Sequence, residues 1–224
     1  MVVPFSKLDS WEMNATRFQG TIFIEENHTK KLSSREEQKS STPMPGAMSQ
    51  DLMSFWGYKF EALSLLPEPW PTTPREYIDS REEQIVSNYA QYCSVVRTGF
   101  GKIKMIIGGE VDAVMDVKPE DKSRPINWVE LKTTAELTSQ RDQIKFERKL
   151  LKFWAQSFLL GVPKIVIGFR SRQGMLERLE ELETQTIPEK VLLHGQRTWE
   201  GQACINFTAS FLECRFFCGT ISPH

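Results

Sequence analysis

Two short segments of the chain carry charge where an apolar strand would not be expected to. One is Gly109-Glu110-Val111-Asp112-Ala113-Val114-Met115-Asp116, the other Asn127-Trp128-Val129-Glu130-Leu131-Lys132. Side chains alternate along a strand, so Glu110 and Asp112 share a face, roughly 7 Å apart, and so do Glu130 and Lys132. If the two strands pair, three acids and one lysine converge on one patch of sheet. Clustered carboxylates repel one another unless protonated or neutralised, and hard oxygen ligands suit Mg²⁺ or Mn²⁺. Such an ion acidifies water and screens the charge developing on a phosphate. The lysine can orient the attacking water or stabilise the pentavalent phosphorus. An E-x-D followed by an E-x-K therefore reads as metal-dependent hydrolysis of a phosphodiester or pyrophosphate. The competing reading is an amphipathic hairpin with a solvated charged face, and the spacing does not choose between them.

A second constellation lies on a helix expected from about Ser139 to Leu160. Lys145, Lys149, Lys152 and Gln156 follow at i, i+4, i+7 and i+11, one continuous face. Between Arg141 and Lys152 there are five positive and two negative side chains, a local charge of +3. A phosphate backbone could lie along this face, and the neutral amide of Gln156 could hydrogen-bond a phosphate. A solvated helix face is the alternative. His28, His194 and His224 fall in loop or terminal contexts and support no nucleophilic triad. Gly99, Gly101, Gly108 and Gly109 match neither a P-loop nor a dinucleotide fingerprint and read as turns.

The elements that must position these residues are partly readable. Residues 11–26 read as two short strands around Gln19-Gly20. Residues 27–50 are polar, without apolar period, and are expected as a flexible loop. Met53, Trp56, Phe60 and Leu63 recur at helical spacing over 51–66, a helix ended by Pro67-Glu-Pro-Trp-Pro71. Thr73-Pro74-Arg75-Glu76 reads as a capping box opening a helix whose apolar face runs from Tyr77 to Cys93. Strands are expected at 95–98, 102–107, 111–115, 128–132 and 165–169, with Pro119–Pro125 a charged loop and Gly161-Val-Pro163 stopping the long helix. This order means a mixed sheet flanked by helices.

Bulk composition narrows the class. The 224 residues are 40% hydrophobic and 25% charged, with 28 Lys+Arg against 29 Asp+Glu. That is ordinary for a globular chain and excludes binding to nucleic acid by bulk charge, though not by a local basic face. No run approaches the roughly 20 apolar residues of a membrane-spanning helix, so no membrane partner is expected. The opening residues show no basic region followed by an apolar run, so no secretory signal is expected either. Cys93, Cys204, Cys214 and Cys218 form no C-x-x-C pair, which suits a reducing intracellular compartment and thiols that are mostly buried or idle.

Seven segments occur in the order of a known family. They are Phe55-Trp-Gly-Tyr-Lys-Phe-Glu61, Cys93-Ser-Val-Val-Arg-Thr98, Gly108-Gly-Glu-Val-Asp112, Trp128-Val-Glu-Leu-Lys-Thr133, Lys152-Phe-Trp-Ala-Gln-Ser-Phe158, the stretch from Gly161 to Arg170 and that from Cys204 to Phe211. Together they resemble the DXO/Rai decapping-nuclease family, with wording closest to fungal Rai-type members, over roughly residues 10–213. The resemblance implies an α+β fold: a mixed, largely antiparallel β-sheet nuclease core flanked by helices, with residues 1–224 as a single domain. It implies a divalent-metal-dependent hydrolase of RNA 5′ ends in RNA quality control. Such enzymes remove pyrophosphate from 5′-triphosphate ends, take off incomplete and NAD caps, and degrade RNA 5′→3′. By motif, Glu61, Glu110, Asp112, Glu130 and the Leu131 carbonyl would hold Mg²⁺ or Mn²⁺. Glu110, Lys132 and Gln156 would meet the substrate, and Cys93 would lie beside the 5′ nucleotide. Glu110, Asp112, Glu130, Lys132 and Gln156 form the implied catalytic set, with Lys149 and Lys152 from the basic face added as substrate contacts.

The resemblance also implies a nuclear location, with the cytoplasm as alternative, and RNA 5′ ends as partner. Its second implication is a non-catalytic role, stabilising a nuclear 5′→3′ exoribonuclease. The family's arginine-bearing motif, which precedes the segment like residues 4–25, has no counterpart here, and residues 214–224 look unlike the family. The chain is therefore expected to be truncated at both ends and, alone, poorly soluble or less active than a longer version.

Overall fold

A computed structural model describes residues 12–40 and 48–217 of the chain. They fall into two compact units, within Pro4–Leu52 and Met53–His224. The first unit holds a hairpin, β1 (Met13–Phe18) and β2 (Thr21–Glu26), and helix α1 (His28–Ser40). The hairpin closes on Gln19 (φ 46) and Gly20 (φ 80), the left-handed pair that a two-residue turn of this hand requires. Here the structure departs from the loop expected over 27–50. The Asn27 side chain accepts the Lys30 N–H at 3.1 Å, starting α1 through a local cap rather than an apolar period. Residues 41–47 of that expected loop lie outside the described residues, as do Cys218 and His224.

The second unit contains α2 (Gln50–Ser64, most of its length), α3 (Arg75–Ser80), β3 (Cys93–Phe100), β4 (Ile103–Glu110), β5 (Ala113–Val114) and β6 (Trp128–Ala135). These are followed by α4 (Gln140–Leu160), β7 (Lys164–Arg170), β8 (Leu176–Glu183), α5 (Ile187–His194) and α6 (Gly201–Phe217). Strands β3 and β4 form an antiparallel ribbon. The other four strands form one sheet in the order β5-β6-β7-β8. Its only parallel pair is β6 with β7. The fold is thus α+β, with a mixed and largely antiparallel core, as the resemblance implies.

Helix α4 is the spine. The Ser139 hydroxyl accepts the Asp142 N–H at 3.2 Å, and Gly161 (φ 72) ends the helix in the left-handed conformation. Phe146, Leu150, Leu151, Trp154 and Leu160 are buried. Phe146 meets Phe169 of β7 with ring centroids 5.5 Å apart, and Trp154 stacks on Trp199 at 5.4 Å. Phe60 of α2 packs with Val129 and Leu131 of β6. Period 2 puts those two on one face of the strand and Glu130 and Lys132 on the other. A Cβ on Gly168 would come within 2.8 Å of the Phe60 ring, so glycine lets α2 lie close to β7.

Three further elements differ from expectation. The helix expected to run to Cys93 stops at Ser80, followed by one 3-10 turn, Arg81–Glu83. Thr73 does not cap it, because its hydroxyl donates instead to the Glu68 and Pro69 carbonyls at 2.8 and 3.2 Å. Ile85 and Tyr89, assigned to its apolar face, are 95% and 93% exposed. The strand expected over 111–115 shrinks to Ala113–Val114. Finally, Leu176-Glu-Arg-Leu-Glu-Glu-Leu-Glu183, where no element is expected, is the edge strand β8. Its composition favours a helix, and pairing with β7 overrides that.

Candidate active site

The shortened β5 changes how the acids meet. Glu110 is the last residue of β4 and Asp112 lies in the link to β5, so they are not two residues of one strand as expected. The link nevertheless serves the site. Ala113 pairs with Val129, which brings Asp112 beside β6, and the Leu131 N–H donates to Asp112 Oδ2 at 2.7 Å. The Lys132 ammonium pairs with Glu130 Oε1 and lies 3.5 Å from Asp112 Oδ2. Glu130 is fully buried, its side chain 0% exposed, and that ammonium is the cation facing it.

Electrostatics draws the rest of the cluster together. Burial first, then the negative charge of Asp112, pushes the Glu61 carboxyl up from 4.5 to about 7. Lys132 opposes the rise, and Glu110 and Glu130 add to it. Glu61 of α2 therefore belongs to the same cluster, placed by the packing of its neighbour Phe60 on β6. Burial also pushes Glu130 up, against the pull of Lys132. For Lys132, burial acts downward, but Glu130 and Asp112 outweigh it and hold the ammonium above its usual range.

Does this set suit a divalent cation? Among the described residues, no three His, Cys, Asp or Glu side chains already surround one point as a cage. The Lys132 ammonium takes the place between Glu130 and Asp112 where a cation would be held. The donor chemistry does fit. Four carboxylates supply hard oxygen, and neither oxygen of the buried Glu130 carboxylate has a regular hydrogen bond. The chemistry of these four carboxylates thus fits Mg²⁺ or Mn²⁺.

The remaining expected residues are placed as follows. Cys93 opens β3 opposite Glu110, exposed, so the two adjoin across the ribbon. Cys204 is buried in α6. Lys145, Lys149 and Lys152 are exposed on α4, and Gln156 is half-buried. Gln156 is one turn from Leu160, which packs so closely on Gly109 that a Cβ there would come within 2.7 Å. That face of α4 thus approaches the strand that ends in Glu110. Although Lys149 is exposed as a residue, partial burial of its ammonium end, then Arg170 and Lys145, hold that ammonium below its usual range. One of the two acids counted against the basic face does not belong to it. Glu147 is buried, its carboxylate accepting Gln196 N–H at 2.6 Å and the Thr198 hydroxyl at 3.0 Å. Periodicity does not pick out Glu61. The available signal is an acid directly after the apolar position Phe60 on the helix that packs against β6.

Comparison with known proteins places the chain in a family. A family model described as RAI1 like PD-(D/E)XK nuclease matches residues 1–216. Decapping nuclease RAI1 of Aspergillus fumigatus is 59% identical over 213 residues, 95% of this chain and 58% of that protein. The Saccharomyces cerevisiae protein of the same name is 39% identical over 194 residues, 87% of this chain and 49% of its own length. The crystal structure of Scheffersomyces stipitis Rai1 superposes with a TM-score of 0.81 at 35% identity, covering 91% of this chain and 54% of that one. Candida albicans Rai1 in complex with pU5 and Mn²⁺ gives 0.82 at 28% identity, covering 93% and 56%. The chain thus spans about half the length of the curated relatives it matches. Because the family match runs through every segment that builds the acid–lysine cluster, the chain belongs to the RAI1-like PD-(D/E)XK nuclease family.

Proposed function

We infer that this chain carries the hydrolytic centre of a divalent-metal-dependent enzyme acting on RNA 5′ ends. The observation that carries the reading is the pairing of Lys132 with both Glu130 and Asp112, within reach of the raised Glu61. A solvated charged hairpin would leave those groups in water. Here a carboxylate is buried with a lysine as its cation, a costly arrangement that structure alone does not need. The relatives named decapping nuclease RAI1 and the Candida albicans complex with pU5 and Mn²⁺ support RNA and a divalent ion as what the site takes.

Within this reading each residue has a task. Glu130, Asp112, Glu110, Glu61 and the Leu131 carbonyl would hold the ion, which would supply charge to stabilise a phosphate under attack. Lys132, released from the acids, turns its ammonium to the phosphate or the attacking water. Gln156 donates its amide to the phosphate, Cys93 lies beside the 5′ nucleotide, and Lys149 and Lys152 guide the following backbone. The bonds cut are the pyrophosphate of 5′-triphosphate ends, the cap linkage of incomplete and NAD caps, and then the 5′ phosphodiesters.

The test is product release from 5′-triphosphate, NAD-capped and 5′-monophosphate RNA with Mn²⁺ or Mg²⁺. Glu130→Gln keeps the size of the side chain and removes its charge, and should lower turnover at least a hundredfold (~2.7 kcal/mol of barrier) with an unchanged circular dichroism spectrum. Near-normal turnover by that variant at saturating substrate would sink the assignment.

A further inference from the structure

An aromatic pair borders the carboxylate cluster, and the chemistry above does not use it. Tyr92 and Trp128 have ring centroids 5.4 Å apart with planes inclined by 37°. The Lys118 ammonium lies 5.4 Å from the Tyr92 ring centre and 6.0 Å from that of Trp128, and donates to the Tyr92 hydroxyl at 3.2 Å. Backbone ties the pair to the acids from two sides. The Tyr92 carbonyl accepts the N–H of Val111, the residue between Glu110 and Asp112, at 3.0 Å. Trp128 is two residues before Glu130 on β6 and so shares its face.

The two rings are unequally placed. Trp128 is half-buried against Val111, Leu160 and Val162 and makes a fixed floor. Tyr92 is 52% exposed, so it is not there to fill the core. An open ring backed by a half-buried one, with an exposed lysine at its hydroxyl edge, suits a flat π-system that carries a phosphate. A nucleotide has both parts: its base stacks on an aromatic face whatever its identity, and its phosphate takes the lysine.

We propose that Tyr92, backed by Trp128, is a stacking platform for one base of the RNA, and that Lys118 moves from the rings to that nucleotide's phosphate. The proposal rests on the RNA reading given above and adds a base-binding subsite to it.

Binding of 3′-labelled, 5′-phosphorylated five-nucleotide RNA to the full chain tests it, by fluorescence anisotropy in Ca²⁺. One abasic position is moved through the five sites. For the unsubstituted chain, one abasic position should weaken binding about five- to tenfold, the worth of one stacked base. Tyr92→Ala should weaken binding of intact RNA by a similar factor and become indifferent to that position. Tyr92→Phe should restore both, and Lys118→Gln should lower the salt dependence of binding. If Tyr92→Ala binds as tightly as the unsubstituted chain with the same abasic profile, the platform is wrong while the RNA reading stands. If the unsubstituted chain binds no RNA, both fall.

Discussion

Glu61 titrates far from an ordinary glutamate, and this has a consequence for stability. Its folded value of about 7 lies above the ordinary 4.5, so the folded state favours the protonated form. That contribution is fully present below pH 4.5 and is lost as pH rises through about 7. The rise, at about 1.36 kcal/mol per pH unit and halved for the solvent reaching a half-buried side chain, is worth about 1.7 kcal/mol. For a chain of this size that is roughly 3–7 °C of melting temperature. In EDTA, the melting temperature should therefore fall by that amount between pH 4.5 and 7.5 relative to Glu61→Gln, which carries no charge to desolvate. Parallel curves for the two proteins would remove Glu61 from the buried cluster. The E-x-D and E-x-K residues were legible because a charge inside an apolar strand is a local anomaly. Glu61 was not, because its burial is set by Phe60 packing on a strand remote in sequence.

Helix α4 links the site to its surroundings, and its sequence announces it: Ser139 caps it, Gly161 ends it, and the apolar positions keep the helical period. What the sequence could not show is that Glu147 turns inward to the 195–199 segment. The outer face with Lys145, Lys149 and Lys152 therefore keeps more of its positive charge than a count along the chain implies. Changing all three lysines to Gln should weaken binding of single-stranded RNA. It should also reduce the slope of log K against log salt by about 2, at roughly 0.7 per lost phosphate contact. An unchanged slope would make the stripe an ordinary solvated face. The neighbouring elements were less legible for the same physical reason. Strand β8 has a helix former's composition, and α3 ends at Ser80, where Arg81 donates to the Leu63 carbonyl of α2 at 2.6 Å.

On the scale of the whole molecule, apolar side chains remain exposed on the hairpin. Phe18 and Phe23 share one face of it and are 61% and 56% exposed, and Met13 and Ile24 are exposed on the other face. Among the described residues, β1 and β2 pair only with each other. Free edges and exposed aromatics favour association between copies. Phe18→Ser combined with Phe23→Ser should lower concentration-dependent association, measured by gel filtration with light scattering. The rise in melting temperature on adding Mn²⁺ should be unchanged, because every residue of the acid cluster lies beyond Met53. If the double variant associates as strongly as its parent, these faces are not where copies meet.

The chemistry on offer is legible in the sequence alone: three acids at E-x-D and E-x-K spacing, a lysine two residues from one of them, and a basic helix face. These are short-range patterns, set by the periods of strand and helix. Tertiary structure decided which of them meet. Asp112 reaches Glu130 and Lys132 only because a two-residue strand pairs with β6. Glu61 joins them only because α2 packs against that strand through Phe60. The Tyr92–Trp128 pair joins residues 36 positions apart in the chain. Each of these contacts is fixed by packing between distant segments, and no local period encodes it.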